Sequence, residues 1–459
     1  MKGMKFQVLK SEIVSHLSYI VGSKNEAAVI DPRRDCDIYL GITEKWEAKI
    51  KYILETHRNE DYVIGSVELA KATGAQVLHG PGIDWGYGST IRDKQEFSVG
   101  SLKIVALHTP GHSPDSTCYV LLDSESGNQP VLVFTGDTLF VGDVGRTDLY
   151  GPTEAPRLSA ELFDSIFNKL LPLGDEVIIY PAHGAGSVCG GDISQREEST
   201  LGIERTLNPV LQKKREEFIE HKVSEHHSRP TYFLKMEQYN LEGPPVLNKL
   251  PIPGPLKPES FLEQIKHGAI VVDTRRPPAF GAAHIKGSVS IWLERIPSYA
   301  GWILPYDKPI LLILEDKDYL ENAVRLLYRL GYDKITGYLV GGIEGWYKQS
   351  LPVEHFGLLS VHELKRRLNQ ENSLFLLDVR EENDWEQGHI PGSVNIFSGY
   401  LQNRIKELPK DRPIVVICKV GNRASLGASI LSQAGFKEVH NVLGGIIAWK
   451  NAGYKITKL

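Results

Sequence analysis

Apolar residues in the first 240 positions gather into short, strand-length runs that end on small or polar residues. KYIL (Lys51 to Leu54) leads into ETHRNED, and FSVGSLKIVALH, PVLVFTGDTLF and EVIIYPAHG are longer β stretches of the same kind. A helical period follows the first run, from Tyr62 to Thr73. Beyond position 258 the pattern changes. Apolar strand runs there alternate with helical runs such as NAVRLLYRLGY and SLGASILSQAGF, which implies parallel α/β sheets. The two regimes are separated by EGPPVLNKLPIPGPLKP, residues 242 to 258, whose prolines remove backbone donors and fix φ. A shorter seam, LPVEHFG, spans 351 to 357.

The segments on either side of the second seam repeat each other. VVDTRRPPAFGAAHIKGSVSI aligns with LLDVREENDWEQGHIPGSVNI, so that Asp273 matches Asp378 and His284 matches His389, both at an offset of 105. A repeat of about 100 residues is a duplicated domain, not a solenoid unit. The expected layout is a domain at 1–241, a linker at 242–258, a domain at 259–352, a linker at 353–358 and a domain at 359–459.

Composition narrows the class. At 459 residues the chain is too long for one core. A net charge of −5 gives no reason to expect a nucleic-acid surface. No apolar run approaches membrane-span length, and the N-terminus lacks the apolar stretch of a secretory signal. Four cysteines without paired spacing point to a reducing, cytoplasmic setting.

Four loops carry candidate metal ligands, each following a strand run. They are THRNEDY (His57, Asp61), HTPGHS (His112), FTGD (Asp137) and YPAHG (His183). A lone His is usually an ordinary core or surface residue, but four such loops in series form a pattern. With GRTDL (145–149), they resemble the metallo-β-lactamase fold, near its glyoxalase II and persulfide dioxygenase branch. The resemblance implies an αββα sandwich. It also implies a ligand run H-x-H-x-D-H, in which the second and fourth histidines are here Asn59 and Tyr62. Dinuclear members use the run, the HTPGH His, the TGD Asp and the last His to hold two metals. Here the first site keeps His57, His112 and Asp137. Two His and one carboxylate with open positions suit a single non-haem Fe(II), and the persulfide dioxygenases bind one iron through those positions. Asp61, His183 and Tyr180 become candidates to orient ligands or contact substrate. Arg146 and Asp148 are expected to form a structural ion pair. Cys189, in a glycine-rich segment expected to be flexible, is a candidate to relay sulfur or bind a persulfide. A decayed, metal-free domain is the competing reading.

The last domain holds the second chemical feature. Cys418 ends an apolar run, and Cys-Lys-Val-Gly-Asn-Arg then opens a helical stretch. A thiol there meets backbone N–H groups and the positive end of a helix, which favours a reactive thiolate. This loop, with DVRE, GHIPGSVNI and GGIIAW, resembles the rhodanese-type sulfurtransferases. In those the cysteine carries a sulfane sulfur as a persulfide. The six-residue length is the sulfurtransferase one. Arg423, Lys419 and Gly421 are expected to shape the loop and attract an anionic acceptor such as sulfite. The earlier copy has Leu314 in place of the cysteine and LEDKDY in place of the loop, so it is expected to be an inactive spacer or oligomer interface.

The combined expectation is a persulfide dioxygenase fused to a sulfurtransferase. It would use one Fe(II), O₂, a low-molecular-weight thiol persulfide and sulfite, with no nucleic acid or membrane partner, and is expected to be a homo-oligomer. The carrier thiol is left open among glutathione, coenzyme A, bacillithiol and polysulfide. The alternatives are a glyoxalase II-like dizinc thioester hydrolase with a rhodanese partner, and a non-catalytic sulfur-carrier scaffold.

Overall fold

A computed structural model describes residues 3–11, 15–125, 127, 129–225, 227, 229–370 and 374–458. The N-terminal unit contains two six-stranded sheets. The first orders β1 (Met4–Ser11), β2 (His16–Ser23), β3 (Glu26–Ile30), β4 (Lys49–Leu54), β5 (Gln76–His79) and β6 (Ser89–Thr90) side by side. The second runs from β7 (Glu96–Val99) through β8 (Leu102–His108), β9 (Thr117–Asp123), β10 (Pro130–Gly136) and β11 (Ile178–Pro181) to β12 (Ser199–Thr200).

Strand alternation builds four layers from these sheets. Along β3, Ala28 and Ile30 join the core between the sheets, while Ala27 and Val29 face the outer helices with Tyr39, Ile42 and Leu69. The second sheet divides likewise. Tyr119, Leu121 and Phe134 point inward, and Cys118, Val120 and Val133 pack outward with Leu158's helix neighbours Leu162 and Ile166. This is the αββα sandwich. The helix expected from Tyr62 begins at Ser66 instead. Residues 62–65 are held in a bend because Gly65 N–H donates to the Pro32 carbonyl at 2.8 Å. A Cβ at Gly65 would sit 2.0 Å from the Arg33 carbonyl oxygen, so the chain passes too closely for a helical turn with side chains.

The C-terminal unit contains two five-stranded parallel sheets of identical order. In space the first reads Gly254–Leu256, Ile335–Leu339, Ile310–Ile313, Ile270–Asp273, Val289–Ser290. The second reads Gly357–Leu359, Val439–Val442, Ile414–Ile417, Phe375–Asp378, Val394–Asn395. The duplication in sequence is thus a duplication of topology. The halves also pack together. Trp302 stands edge-on to Phe397 and Tyr400 at 5.3 and 5.2 Å, and Ser290 Oγ meets Ser425 Oγ at 3.0 Å. Among the described residues no helix is long and apolar enough to cross a membrane.

Candidate metal centre and sulfur-transfer loop

The metal candidates sit on loops at strand ends of both sheets. His57 follows β4, His112 follows β8, and Asp137 follows β10. One donor atom from each lies within 4.8 Å of the others, and all three residues are buried. His57 Nε2 and His112 Nε2 each lie 3.6 Å from Asp137 Oδ2.

The second ring nitrogens explain this aim. His112 Nδ1–H donates to the Arg146 carbonyl at 2.9 Å. The Thr56 hydroxyl donates to Asp31 at 2.7 Å, which leaves its oxygen to accept from His57 Nδ1–H at 3.0 Å. Both histidines are therefore fixed as the tautomer with a free Nε2 lone pair. Neither Nε2 has a hydrogen-bond partner. Donors about 2.1 Å from one ion lie about 3.0–3.4 Å apart between right-angle and tetrahedral geometry, and the two distances from Asp137 Oδ2 to the imidazoles, 3.6 Å each, are within a few tenths of that. The residues fit a single metal ion.

Asp61, His183 and Cys189, all buried, form a second group of possible metal ligands, one donor atom of each lying within 4.8 Å of the others. Tyr62 stacks on His16, with ring centroids 3.9 Å apart, and lies edge-on to His183 at 6.1 Å. Asn59 turns its amide onto the His57 carbonyl at 3.2 Å. His183 sits between two carboxylates, donating from Nδ1 to Asp137 at 2.8 Å with Nε2 3.2 Å from Asp61. Burial works against its charge, but Asp137 and Asp61 outweigh burial and hold its pKa well above the ordinary value.

In the C-terminal domain, Cys418 directly follows the strand Ile414–Ile417, and the helix Asn422–Gln433 begins four residues on. Gly421 N–H donates to Cys418 Sγ at 3.1 Å. Gly421 has φ +96°, and a Cβ there would lie 2.9 Å from the Val442 carbonyl oxygen, so the loop can close only on glycine. Arg423 is anchored by Asp384 at 3.3 Å and Glu381 at 3.6 Å.

Comparison with known proteins follows this division. The metallo-beta-lactamase superfamily model matches residues 12–183, and the rhodanese-like domain model matches residues 257–349 and 360–452. A crystal structure of a metallo-beta-lactamase from Staphylococcus aureus is 30% identical with a TM-score of 0.65, covering 74% of this chain and 99% of that one. The chain belongs to the metallo-beta-lactamase superfamily and carries two rhodanese-like domains. This fusion protein is also similar to a hydroxyacylglutathione hydrolase of Haemophilus influenzae, 27% identical over 229 residues, covering 43% of this chain and 92% of that protein. An uncharacterised protein of Mycobacterium leprae is 36% identical over 122 residues, 26% of this chain and 45% of that one. The fusion protein spans about half the length of such mycobacterial relatives.

The remaining expected site residues of the fusion protein are placed unevenly. Asp61 and His183 come together with Cys189 as a second group of possible metal ligands, separate from that of His57, His112 and Asp137. Cys189 lies in an irregular loop and is buried. Burial first, then Asp137, Asp61 and Glu60, push its thiol pKa well up. The Tyr180 ring packs against Phe6 and Tyr19 at 4.9 and 5.3 Å, and it lines an open cavity of about 340 Å³ that His16 and His183 also border. Arg146 grips Asp148 with two bonds of 2.6 and 2.8 Å. Lys419 is exposed beside Cys418. Cys36 and Cys118 are structural. The Cys36 thiol donates to nearby carbonyls, and burial pushes Cys118 up to about 11.

Four contributors went unread in the sequence. Thr56 and Asp31 orient His57, Glu60 enters the metal pocket, and Tyr299 of the first rhodanese-like domain faces the Cys418 loop. Burial raises the Tyr299 phenol to about 12, with the Arg423 charge opposing and Cys418 adding to the rise. Tyr299 carried no visible signal, because its domain lacks a reactive loop of its own.

Proposed function

We propose that the N-terminal domain oxidises a low-molecular-weight thiol persulfide and that Cys418 transfers sulfane sulfur to the sulfite produced. One persulfide, one O₂ and one water give the free thiol and sulfurous acid, in which the terminal sulfur is oxidised and O₂ reduced. The sulfite then attacks the outer sulfur of a Cys418 persulfide. The new S–S bond makes thiosulfate, and Cys418 leaves as thiolate. A second persulfide molecule reloads Cys418 and releases its thiol.

A bound Fe(II) would supply the one-electron chemistry that lets O₂ react with sulfur. His57, His112 and Asp137 would hold it. Thr56, Asp31 and the Arg146 carbonyl keep the two imidazoles in the ligating tautomer. His183 lies between Asp137, at 2.8 Å from its Nδ1, and Asp61, at 3.2 Å from its Nε2. In the sulfur-transfer loop, the Gly421 N–H stabilises the Cys418 thiolate as it forms, and Arg423 and Lys419 favour an anionic acceptor.

The observation that supports this reading is the pair of free Nε2 atoms aimed beside Asp137, in a run whose other two positions are Asn59 and Tyr62. Similarity to a hydroxyacylglutathione hydrolase supports a second reading, thioester hydrolysis. That chemistry uses two metals to hold the bridging nucleophile, and Asn59 and Tyr62 withhold two of the ligands. Elemental analysis together with O₂ uptake on adding glutathione persulfide separates the two. Oxidation requires one iron and O₂ consumption, whereas hydrolysis requires two zinc ions and no O₂.

A further inference from the structure

Cys418 is recessed, with only 1% of its surface exposed in a loop that closes on Gly421. Three apolar side chains stand exposed around that loop: Val420 at 45%, Leu443 at 37% and Ile447 at 41%. Backbone contacts bring their segments together. The Ile446 N–H donates to the Cys418 carbonyl at 2.9 Å, and the Ile447 N–H donates to the Lys419 carbonyl at 3.2 Å. A Cβ at Gly421 would lie 3.4 Å from the Leu443 Cα. Lys419, also exposed, adds positive charge beside them.

The duplicated domain supplies a comparison on the same strand order. Where the active copy reads Cys418, Lys419 and Val420, the first copy reads Leu314, Glu315 and Asp316. Where GGIIAW places Ile447, GGIEGW places Glu344. All three acids are exposed. The fold therefore accepts charge at the positions of Val420 and Ile447, and packing does not call for apolar residues there. Leu443 alone keeps an apolar counterpart, the exposed Val340. The apolar collar goes with the thiol.

The chemistry of loading says what such a collar meets. The Cys418 thiolate attacks the terminal sulfur of a persulfide R–S–SH. The new S–S bond forms at Sγ, the donor's S–S bond breaks, and its electron pair leaves on the donor thiol's sulfur as R–S⁻. Nucleophile, transferred sulfur and leaving sulfur lie in line in this exchange. With Cys418 recessed, the leaving sulfur and its carbon body R must point outward, past the rim of the loop. We propose that Val420, Leu443 and Ile447 bind the carbon body of an organic persulfide and so set the donor specificity of Cys418, an inference that rests on the sulfur-transfer reading above. The charge agrees with this occupant, since Lys419 and Arg423 attract the anionic persulfide while the first copy's acids would repel it. Sulfite has no carbon body, so the collar serves the loading of Cys418 and not the transfer that follows.

The test measures thiosulfate formation by the full-length protein without O₂, which silences the N-terminal oxidation. Sulfite is saturating, and the donor is either glutathione persulfide or hydrogen persulfide, which has no carbon body. Val420→Thr/Ile447→Gln removes apolar surface and adds no charge. Its kcat/KM for glutathione persulfide should fall about 10-fold or more. Its kcat/KM for hydrogen persulfide and its KM for sulfite should stay within about twofold of wild type. Val420→Ile/Ile447→Leu should behave as wild type with both donors. Equal losses with the two donors, or no loss with either, overturn the donor-binding role alone. Sedimentation checks for another occupant: a smaller assembly in Val420→Thr/Ile447→Gln with unchanged loading makes the collar a contact between copies, which also overturns it. A wild type that forms no more thiosulfate than Cys418→Ser overturns the sulfur-transfer reading and this inference with it.

Discussion

Thr56→Val keeps the outline of a buried side chain and deletes one oxygen. That oxygen donates to Asp31 Oδ2 at 2.7 Å and accepts from His57 Nδ1 at 3.0 Å. Asp31 retains the Thr56 backbone N–H at 2.8 Å, so it is not abandoned. Losing one bond to a buried charged group costs about 1.5–3 kcal/mol, partly offset by the added methyl. The effect on His57 matters more for function. Without the hydroxyl, nothing on this side holds the ring or fixes its tautomer. Losses of this kind weaken metal affinity by about 10–100-fold, or about 1.4–2.8 kcal/mol. Competition titration of the apoprotein with Co(II) and a chelating dye measures this directly, with far-UV dichroism as a check on folding. Thr56→Ser restores the oxygen and should recover most of the affinity. A folded Thr56→Val variant that binds as tightly as wild type would refute the orienting role assigned to Thr56.

The double variant Asn59→His/Tyr62→His returns both imidazoles to the run, removes the ring stacked on His16, and should raise bound zinc from one ion per chain to two by elemental analysis. Cys418→Ser should reduce thiosulfate formation from sulfite to background and leave persulfide-dependent O₂ uptake within about twofold; parallel loss of both would mean that the sites do not act independently. His284 lies flat on Phe280 at 4.1 Å, and burial lowers its pKa below 6.5 against the opposing pull of the Phe280 carbonyl and Asp273. Below pH 6.5 the unfolded state therefore binds more protons, so this contribution to stability falls as pH drops toward the folded pKa, by up to about 1.4 kcal/mol per pH unit. Urea melts of His284→Gln between pH 5.5 and 7.5 should show a shallower acid slope than wild type, and identical slopes would contradict this assignment.

The architecture was legible where side chains alternate or repeat. The match of Asp273 to Asp378 and His284 to His389 led to two sheets of the same strand order, and the resemblance carried by the THRNEDY, HTPGHS, FTGD and YPAHG loops implied the sandwich. The metal loops were legible because each ligand follows a strand. The start of the helix at Ser66 was not, since Val63 and Ile64 satisfy a helical period while Gly65 is drawn against the Pro32–Arg33 backbone. Tyr180 was read as a candidate to orient ligands or contact substrate, and alternation along β11 sets which face of the sheet it takes. Ile178 and Tyr180 share the face between the sheets, opposite Ile179. Glu60 was hidden for a different reason. Glu55, Thr56, His57, Asn59, Glu60 and Asp61 are all buried together, and no periodic pattern distinguishes a polar loop sunk into a pocket from one in solvent. The pairing of Thr56 with Asp31 joins residues 25 positions apart, which no local motif records.

The central claim is that replacing two histidines left a site for one ion that uses O₂. Apoprotein loaded anaerobically with Fe(II), freed of excess metal and mixed with glutathione persulfide in an oxygen electrode tests it most directly. The account predicts one iron per chain and consumption of one O₂ for each sulfite formed. Two bound ions, or one bound iron with persulfide left unoxidised, would contradict it.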